Sequence, residues 1–223
     1  MHVPSRVLLV GAVVATPLFV LLWAAQALTR DGFRPTYHPM SLLSLGDWGW
    51  VQIANFVVVG LLLVGGGIGI GRSLGGGRLV AWIRILIVLI GLGLIVSGVF
   101  VTDAGAGFPA GAPEGAPLLS WNGALHQAGF VLTQLAFLGA SVVLAVWFAK
   151  RRRTVWAVAC IAAAAAAVLV AALGAPETLA IRLVASSAIE LGLISAVALD
   201  LIVRRTASPA DISTDGAVLA DRL

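Results

Sequence analysis

Residues 80–101 read VAWIRILIVLIGLGLIVSGVFV. Arg84 is the only charge in this stretch, and its length matches the roughly 20 apolar residues that cross a bilayer as a helix. Working outward, five more runs of the same kind occupy about 7–28, 50–71, 123–148, 154–173 and 179–203. The expected fold is therefore all-α: a polytopic membrane bundle of six transmembrane helices filling one domain, residues 1–205. The polar tail 206–223, with Ser208-Pro209 and several aspartates, is expected to be disordered. The first run resembles a signal peptide in position. It is longer than an h-region, and Thr29-Arg30-Asp31 offers no small-x-small cleavage site, so it is read as a span.

Composition agrees with this. The 223 residues are 60% hydrophobic and 11% charged, against about 25% charged in soluble domains. The spans and their connections leave no room for a soluble catalytic domain. A net charge of +4 invites a nucleic-acid reading, but the placement of the cations argues against it. With the N-terminus inside, the cytoplasmic side holds Arg6, Arg72, Arg78, Arg84, Lys150–Arg153, Arg204, Arg205 and Arg222, whereas the outer side holds Arg30 and Arg34, with Arg182 just inside the last span. This is the positive-inside pattern. Both termini are expected to be cytoplasmic, the partners membrane lipids and not nucleic acid, and the location the cell membrane.

The single cysteine, Cys160, excludes an intramolecular disulfide and a CxxC metal site. The only lysine, Lys150, sits at a helix end, which excludes a retinal-type Schiff base within the bundle. In the second span Gly65/Gly69 and Gly67/Gly71 form GxxxG pairs, which let helix backbones approach closely and could also support a homo-oligomer. No Lys-Ser/Thr follows them, so a phosphate loop is excluded.

The long connections lie on the outer side. The first, 29–49, reads TRDGFRPTYHPMSLLSLGDWG, and its MSLLSL suits a short interfacial helix; the second, 102–122, is rich in glycine and proline and suits a stiff cover. Polar residues inside or beside the spans become the site candidates. Glu190, near the middle of the sixth span, is the most unexpected, since charge there costs about 2.5–3.5 kcal/mol on insertion scales. Ser186 and Arg182 share its stripe; Arg182 lies about 12 Å away along the axis, too far for a direct bond. His126, one turn inside the fourth span, has Asn122 and Thr133 on its face and Gln127 and Gln134 on a second stripe. Asp103 ends the third span. His126, Asp103 and Glu190 are the candidate acid–base residues. Arg182, His38, Ser41, Asn55 and Trp121 are the candidate substrate-binding residues. With His38 and Asp47 the set contains zinc-type donors, but no HExxH occurs and the spacings are not diagnostic, so no metal ligand or cofactor is assigned. Each of these residues has a plainer reading as a buried structural lock or a solvated loop group.

The stretch His38-Pro39-Met40-Ser41-Leu42-Leu43-Ser44-Leu45-Gly46, followed by Trp50 and Asn55, resembles the first-loop signature of the DUF998 family of prokaryotic integral membrane proteins. Gly98–Asp103 and His126 resemble that family's end of the third span and its histidine early in the fourth. Two positions depart from the commoner pattern: Val101 stands where a proline is expected, and Leu45 where an acidic residue is expected, which leaves the role of Asp47 open. The resemblance implies six helices, an outward-facing polar site, and distant kinship to Frag1/DRAM/Sfk1-type proteins, some of them linked to lipid handling. It implies no reaction. The function classes carried forward are binding or processing of a lipid-like substrate, a small proton-coupled transporter, and a non-catalytic scaffold.

Overall fold

A computed structural model of the chain describes residues 3–206. The polar tail after Thr206 lies outside the described residues. The elements are α1 (Ser5–Thr29), a 3-10 turn (Met40–Ser44), α2 (Gly49–Leu74), α3 (Arg78–Val99), α4 (Trp121–Lys150), α5 (Thr154–Ala172), a second 3-10 turn (Pro176–Thr178) and α6 (Leu179–Thr206). All six α-helices are long and apolar enough to cross a membrane, and among the described residues there is no strand, so this is an all-α, multi-pass membrane protein.

Each helix packs against its neighbours in sequence, and α6 returns to α1. Short connections join α2 to α3, α4 to α5 and α5 to α6 as antiparallel neighbours. Lipid tails are as apolar as the helix faces, so in a bilayer association rests on close packing and a few polar bonds rather than on hydrophobic burial. Small residues provide the packing. A Cβ on Gly66 would stand 2.6 Å from Ala12 Cβ, and one on Gly69 would stand 2.8 Å from Leu8 Cβ, which brings α2 onto α1. Gly67 and Gly71 lie instead against Arg84 and Val88 of α3. Both GxxxG pairs are thus occupied inside the chain. α5 is peripheral, with Cys160 and Ala167 its buried residues.

Polar side chains fasten the helices where they meet. Thr16 and Ser195 hydroxyls are 2.7 Å apart, and the Ser195 hydroxyl reaches the Ala12 carbonyl at 2.7 Å, joining α1 to α6. Gln26 Nε2 donates to Gln52 Oε1 at 2.8 Å between α1 and α2. At the opposite end of the bundle from the long connections, Arg153 forms a bidentate pair with Asp200 at 2.9 and 2.8 Å, fixing the α4–α5 turn to α6.

The two long connections do not lie loosely over the bundle. They build a second small core from Phe33, Leu42, Leu43 and Phe108 on Trp23 and Ala27 of α1 and Val184 of α6. The short helix expected from MSLLSL is present as the Met40–Ser44 turn, but Leu42 and Leu43 point into this core and not toward lipid. Arg30 closes the turn's far end, donating to the Leu43 carbonyl at 3.2 Å and the Leu45 carbonyl at 2.6 Å. Burial holds the Arg30 guanidinium somewhat below its ordinary pKa, partly offset by Asp47. Around this cap Trp48, Trp50 and Trp121 are exposed, as interfacial tryptophans are.

Candidate functional site

Beneath the cap lies a cavity of about 180 Å³. Phe19 of α1, Met40 of the short turn, Phe56 of α2, Leu94 of α3, Phe130 of α4 and Leu183 of α6 give it an apolar wall. Ser41, Ser97, His126, Gln127, Thr133, Gln134 and Ser187 supply the polar groups. Gln127 and Phe130 are exposed, so the cavity meets the flank of the bundle there.

His126 is positioned by the α3–α4 crossing. Gly129 sits against Gly93, where a Cβ would be 2.7 Å from the Gly93 carbonyl oxygen, and this proximity lets the two helices exchange polar bonds. The Ser97 hydroxyl donates to the His126 carbonyl at 3.0 Å. In return the imidazole Nδ1 lies 2.8 Å from the Ser97 carbonyl and 3.1 Å from the Phe100 carbonyl. Carbonyls only accept, so Nδ1 carries a proton, and the singly protonated ring presents Nε2 as an acceptor. Nε2 has no hydrogen-bond partner among the described residues, on a side chain that lines the cavity and is only 5% exposed.

Glu190 is buried in α6 and faces a separate crevice of about 350 Å³ between α4, α5 and α6. Its Oε1 accepts from Gln134 Nε2 at 2.8 Å and from the Ser186 hydroxyl at 3.1 Å. Ser186 is therefore its neighbour as the helical stripe implies. Gln134 lines both the cavity and the crevice and is the one side chain common to the two. Its place opposite Glu190 was missed from sequence, because which stripe of α4 faces α6 depends on packing.

Asp103 does not line the cavity. Its Oδ2 accepts from the Ser120 N–H at 2.8 Å, and Ser120 in turn caps α4 by accepting from the Gly123 N–H at 3.1 Å. The carboxylate thus sits at the N-terminus of α4, where unpaired N–H groups and the helix dipole favour negative charge. The Ser120 hydroxyl and backbone N–H hold it below the usual carboxylate range.

The substrate-binding candidates separate in the same way. Ser41 lines the same cavity as His126. Asn55 is fully buried between α1 and α2, donating to the Phe19 carbonyl at 3.1 Å. Trp121 is exposed at the start of α4 and takes no part in the cavity wall. Arg182 points away from Glu190. It donates to the Ala171 carbonyl at 2.9 Å, the Ala175 carbonyl at 3.0 Å and the Thr178 hydroxyl at 3.2 Å, satisfying the orphan carbonyls at the end of α5.

His38 belongs to the cap. Its Nδ1 accepts from the Arg34 N–H at 2.9 Å, which makes Nε2 the donor to the Ala106 carbonyl at 3.0 Å. Both ring nitrogens are occupied, so this histidine ties the two long connections together. Burial pushes its pKa below the ordinary value; the Ala106 carbonyl and Glu114 oppose that shift, and Arg34 adds to it. Asp47 is exposed. Among the described residues no three His, Cys, Asp or Glu side chains come close enough to share a metal ion.

No curated protein and no solved structure matches the chain. A family model described as a protein of unknown function, DUF998, matches residues 13–200, which takes in α2 to α5, most of α1 and α6, the cap and the cavity, and the chain belongs to that family.

Proposed function

We propose that this protein binds a lipid-like molecule in the cavity beneath the cap, on the outer side of a prokaryotic plasma membrane. The observation that carries the reading is the unpartnered His126 Nε2 at an otherwise mostly apolar cavity. Small-molecule sites have this composition: an apolar wall and a few fixed polar groups. The opening at Gln127 and Phe130 supports entry from the flank, where bilayer lipids lie. The orientation is supported by the gathering of Arg72, Arg78, Lys150–Arg153, Arg204 and Arg205 at the end away from the cap, which the positive-inside rule assigns to the cytoplasm. Binding is favoured over turnover, because His126 lines the cavity while Asp103 and Glu190 do not. A homo-oligomer through the glycines of α2 gains no support, since those glycines are filled by α1 and α3.

Native mass spectrometry of the gently solubilised protein tests this. Wild type is expected to retain a lipid-sized adduct, and His126→Ala to retain about 2- to 10-fold less, the scale of one neutral hydrogen bond. Equal retention by both proteins, or a bare mass for wild type, would count against the reading.

A second reading, a small proton-coupled carrier, is favoured by one observation: Gln134 joins the cavity wall to Glu190. Intramembrane carboxyls commonly mark proton paths. In proteoliposomes this reading expects substrate flux driven by a pH gradient to fall at least about 10-fold in Glu190→Gln; unchanged flux in that variant would end it.

A further inference from the structure

The polar groups around the cavity are not a random set of hydrogen-bonding side chains. Their hydrogens are largely committed elsewhere. The Ser97 hydroxyl donates to the His126 carbonyl at 3.0 Å. The Thr133 hydroxyl donates to the Gly129 carbonyl at 3.1 Å, within reach of the Ile90 carbonyl at 3.3 Å. The Ser187 hydroxyl donates to the Leu183 carbonyl at 3.0 Å, and Gln134 places an N–H on Glu190 at 2.8 Å. A hydroxyl whose hydrogen is committed still has oxygen lone pairs to offer, and the Gln134 carbonyl oxygen has no partner among the described residues. His126, with Nδ1–H on the Ser97 and Phe100 carbonyls, offers only the Nε2 lone pair. Ser41, Gln127 at the exposed mouth and the second N–H of Gln134 keep hydrogens of their own. The cavity therefore offers more free acceptors than free donors.

It is also free of formal charge. No Asp, Glu, Lys or Arg lines it. The cations nearest the cap are engaged elsewhere: Arg30 on the Leu43 and Leu45 carbonyls, Arg182 on the end of α5, and Arg34 over the Tyr37 ring at 4.3 Å. An anion brought here would lose its hydration and meet lone pairs with no compensating cation, which is costly. An ammonium would find acceptors but no counter-ion. An uncharged O–H has neither problem, and its hydrogen fits His126 Nε2, the unpaired acceptor nitrogen at the cavity wall.

We infer that the ligand is an uncharged, hydroxyl-bearing amphiphile, such as a long-chain alcohol, whose O–H donates to His126 Nε2, and not a phosphate or carboxylate lipid. This rests on the cavity being the binding site. A volume of about 180 Å³ is below the about 300–1,000 Å³ of sites that enclose a whole drug-sized ligand. The cavity takes the hydroxyl end, and the remaining chain leaves past Phe130 along the apolar flank.

The test uses three photoreactive probes with the same sixteen-carbon chain, its diazirine placed on the carbons next to the head group so that it enters the cavity with it: the primary alcohol, its methyl ether and its phosphate monoester. Each is added to the full-length protein in nanodiscs, irradiated, and the labelled residues are mapped by mass spectrometry. The alcohol is expected to label cavity-lining residues at least about 3-fold more than the methyl ether, and at least about 10-fold more than the phosphate. In His126→Asn the side-chain amide nitrogen takes the place of Nδ1 and keeps the bond to Ser97, while the Nε2 acceptor is lost. The preference for alcohol over ether is then expected to disappear. Equal cavity labelling by all three probes, or strongest labelling by the phosphate, overturns the hydroxyl assignment and leaves the cavity as a lipid site. Labelling of the outer helix faces with none in the cavity overturns the binding reading itself. Persistence of the alcohol preference in His126→Asn overturns the role of Nε2. The three-probe comparison in wild type decides the ligand class even if the variant does not fold.

Discussion

Gly91→Leu is expected to yield no monodisperse folded protein, and Gly91→Ala to lose about 2–3 kcal/mol. The reason is that α2 and α3 touch backbone to backbone. A Cβ on Gly91 would overlap the Gly60 carbonyl oxygen and stand 2.9 Å from the Val64 amide nitrogen. A Cβ on Gly60 would meet the Gly91 carbonyl oxygen at 2.6 Å. Rotamer change cannot relieve a clash that begins at Cβ against main chain, so the helices must separate. Separation removes the close packing that holds apolar helices together where no hydrophobic driving force exists. It also propagates. Gly93, one residue pair further along α3, meets Gly129 and Thr133 of α4, and that crossing places His126. Size-exclusion chromatography and thermal melting in one detergent measure the effect. Gly192→Ala is the control: nothing lies within 4 Å of its added Cβ, and the change is expected to be neutral or to gain up to about 1 kcal/mol from helix propensity. A Gly91→Leu protein that elutes and melts like wild type would refute the packing argument.

The same glycines show how far the sequence is legible. Their spacing on α2 announces close approach, and hydropathy announces six helices, because both depend on local pattern alone. Which helix fills each glycine is a tertiary matter. Gly66 and Gly69 serve α1, whereas Gly60, Gly67 and Gly71 serve α3, and nothing in a 3.6-residue period distinguishes those partners. Site residues divide along the same line. His126, Ser41 and Glu190 could be singled out because polar groups in or beside apolar runs are unexpected, and Gln26 and Gln52 could have been found by the same signal. Their grouping could not. Asp103 and His126 look alike as outer-level titratable residues, yet one receives the N-terminus of α4 and the other lines a cavity. Arg182 shares a stripe with Glu190, yet its guanidinium turns back to the carbonyls of α5. A long side chain bonds whatever acceptors its tip reaches, and a helix end that needs donors is invisible until the next helix is placed beside it.

His38→Ala is expected to lower the stability of the cap by about 2–4 kcal/mol and to expose the cavity beneath it. The side chain is 2% exposed and joins the first long connection to the second. Its removal leaves the part-buried Arg34 N–H and Ala106 carbonyl without their partners, which together cost about 1–2 kcal/mol, less than the full penalty for a buried group left unpaired. It also empties a position packed between Phe33 at 5.4 Å and Phe108 at 5.5 Å between ring centroids, adding a cavity cost. Hydrogen exchange should then rise together in residues 30–46 and 104–117, because the tie is reciprocal. Acid should act on the same bond. Nδ1 must stay unprotonated to accept from Arg34, and burial holds the ring's pKa below its ordinary value. Between that lowered value and about 6.5 the unfolded chain binds a proton that the folded cap does not, so stability declines as pH falls below about 6.5. Arg34 and Glu114, the charged groups facing the ring, act in opposite directions, which leaves burial in control of the sign. Exchange protection of the cap in wild type should therefore weaken between pH 7.5 and 5.5, while His38→Ala, already open, changes little. Equal protection in wild type and variant at pH 7.5 would show that the cap is held by its apolar core alone, with the histidine a passenger in it.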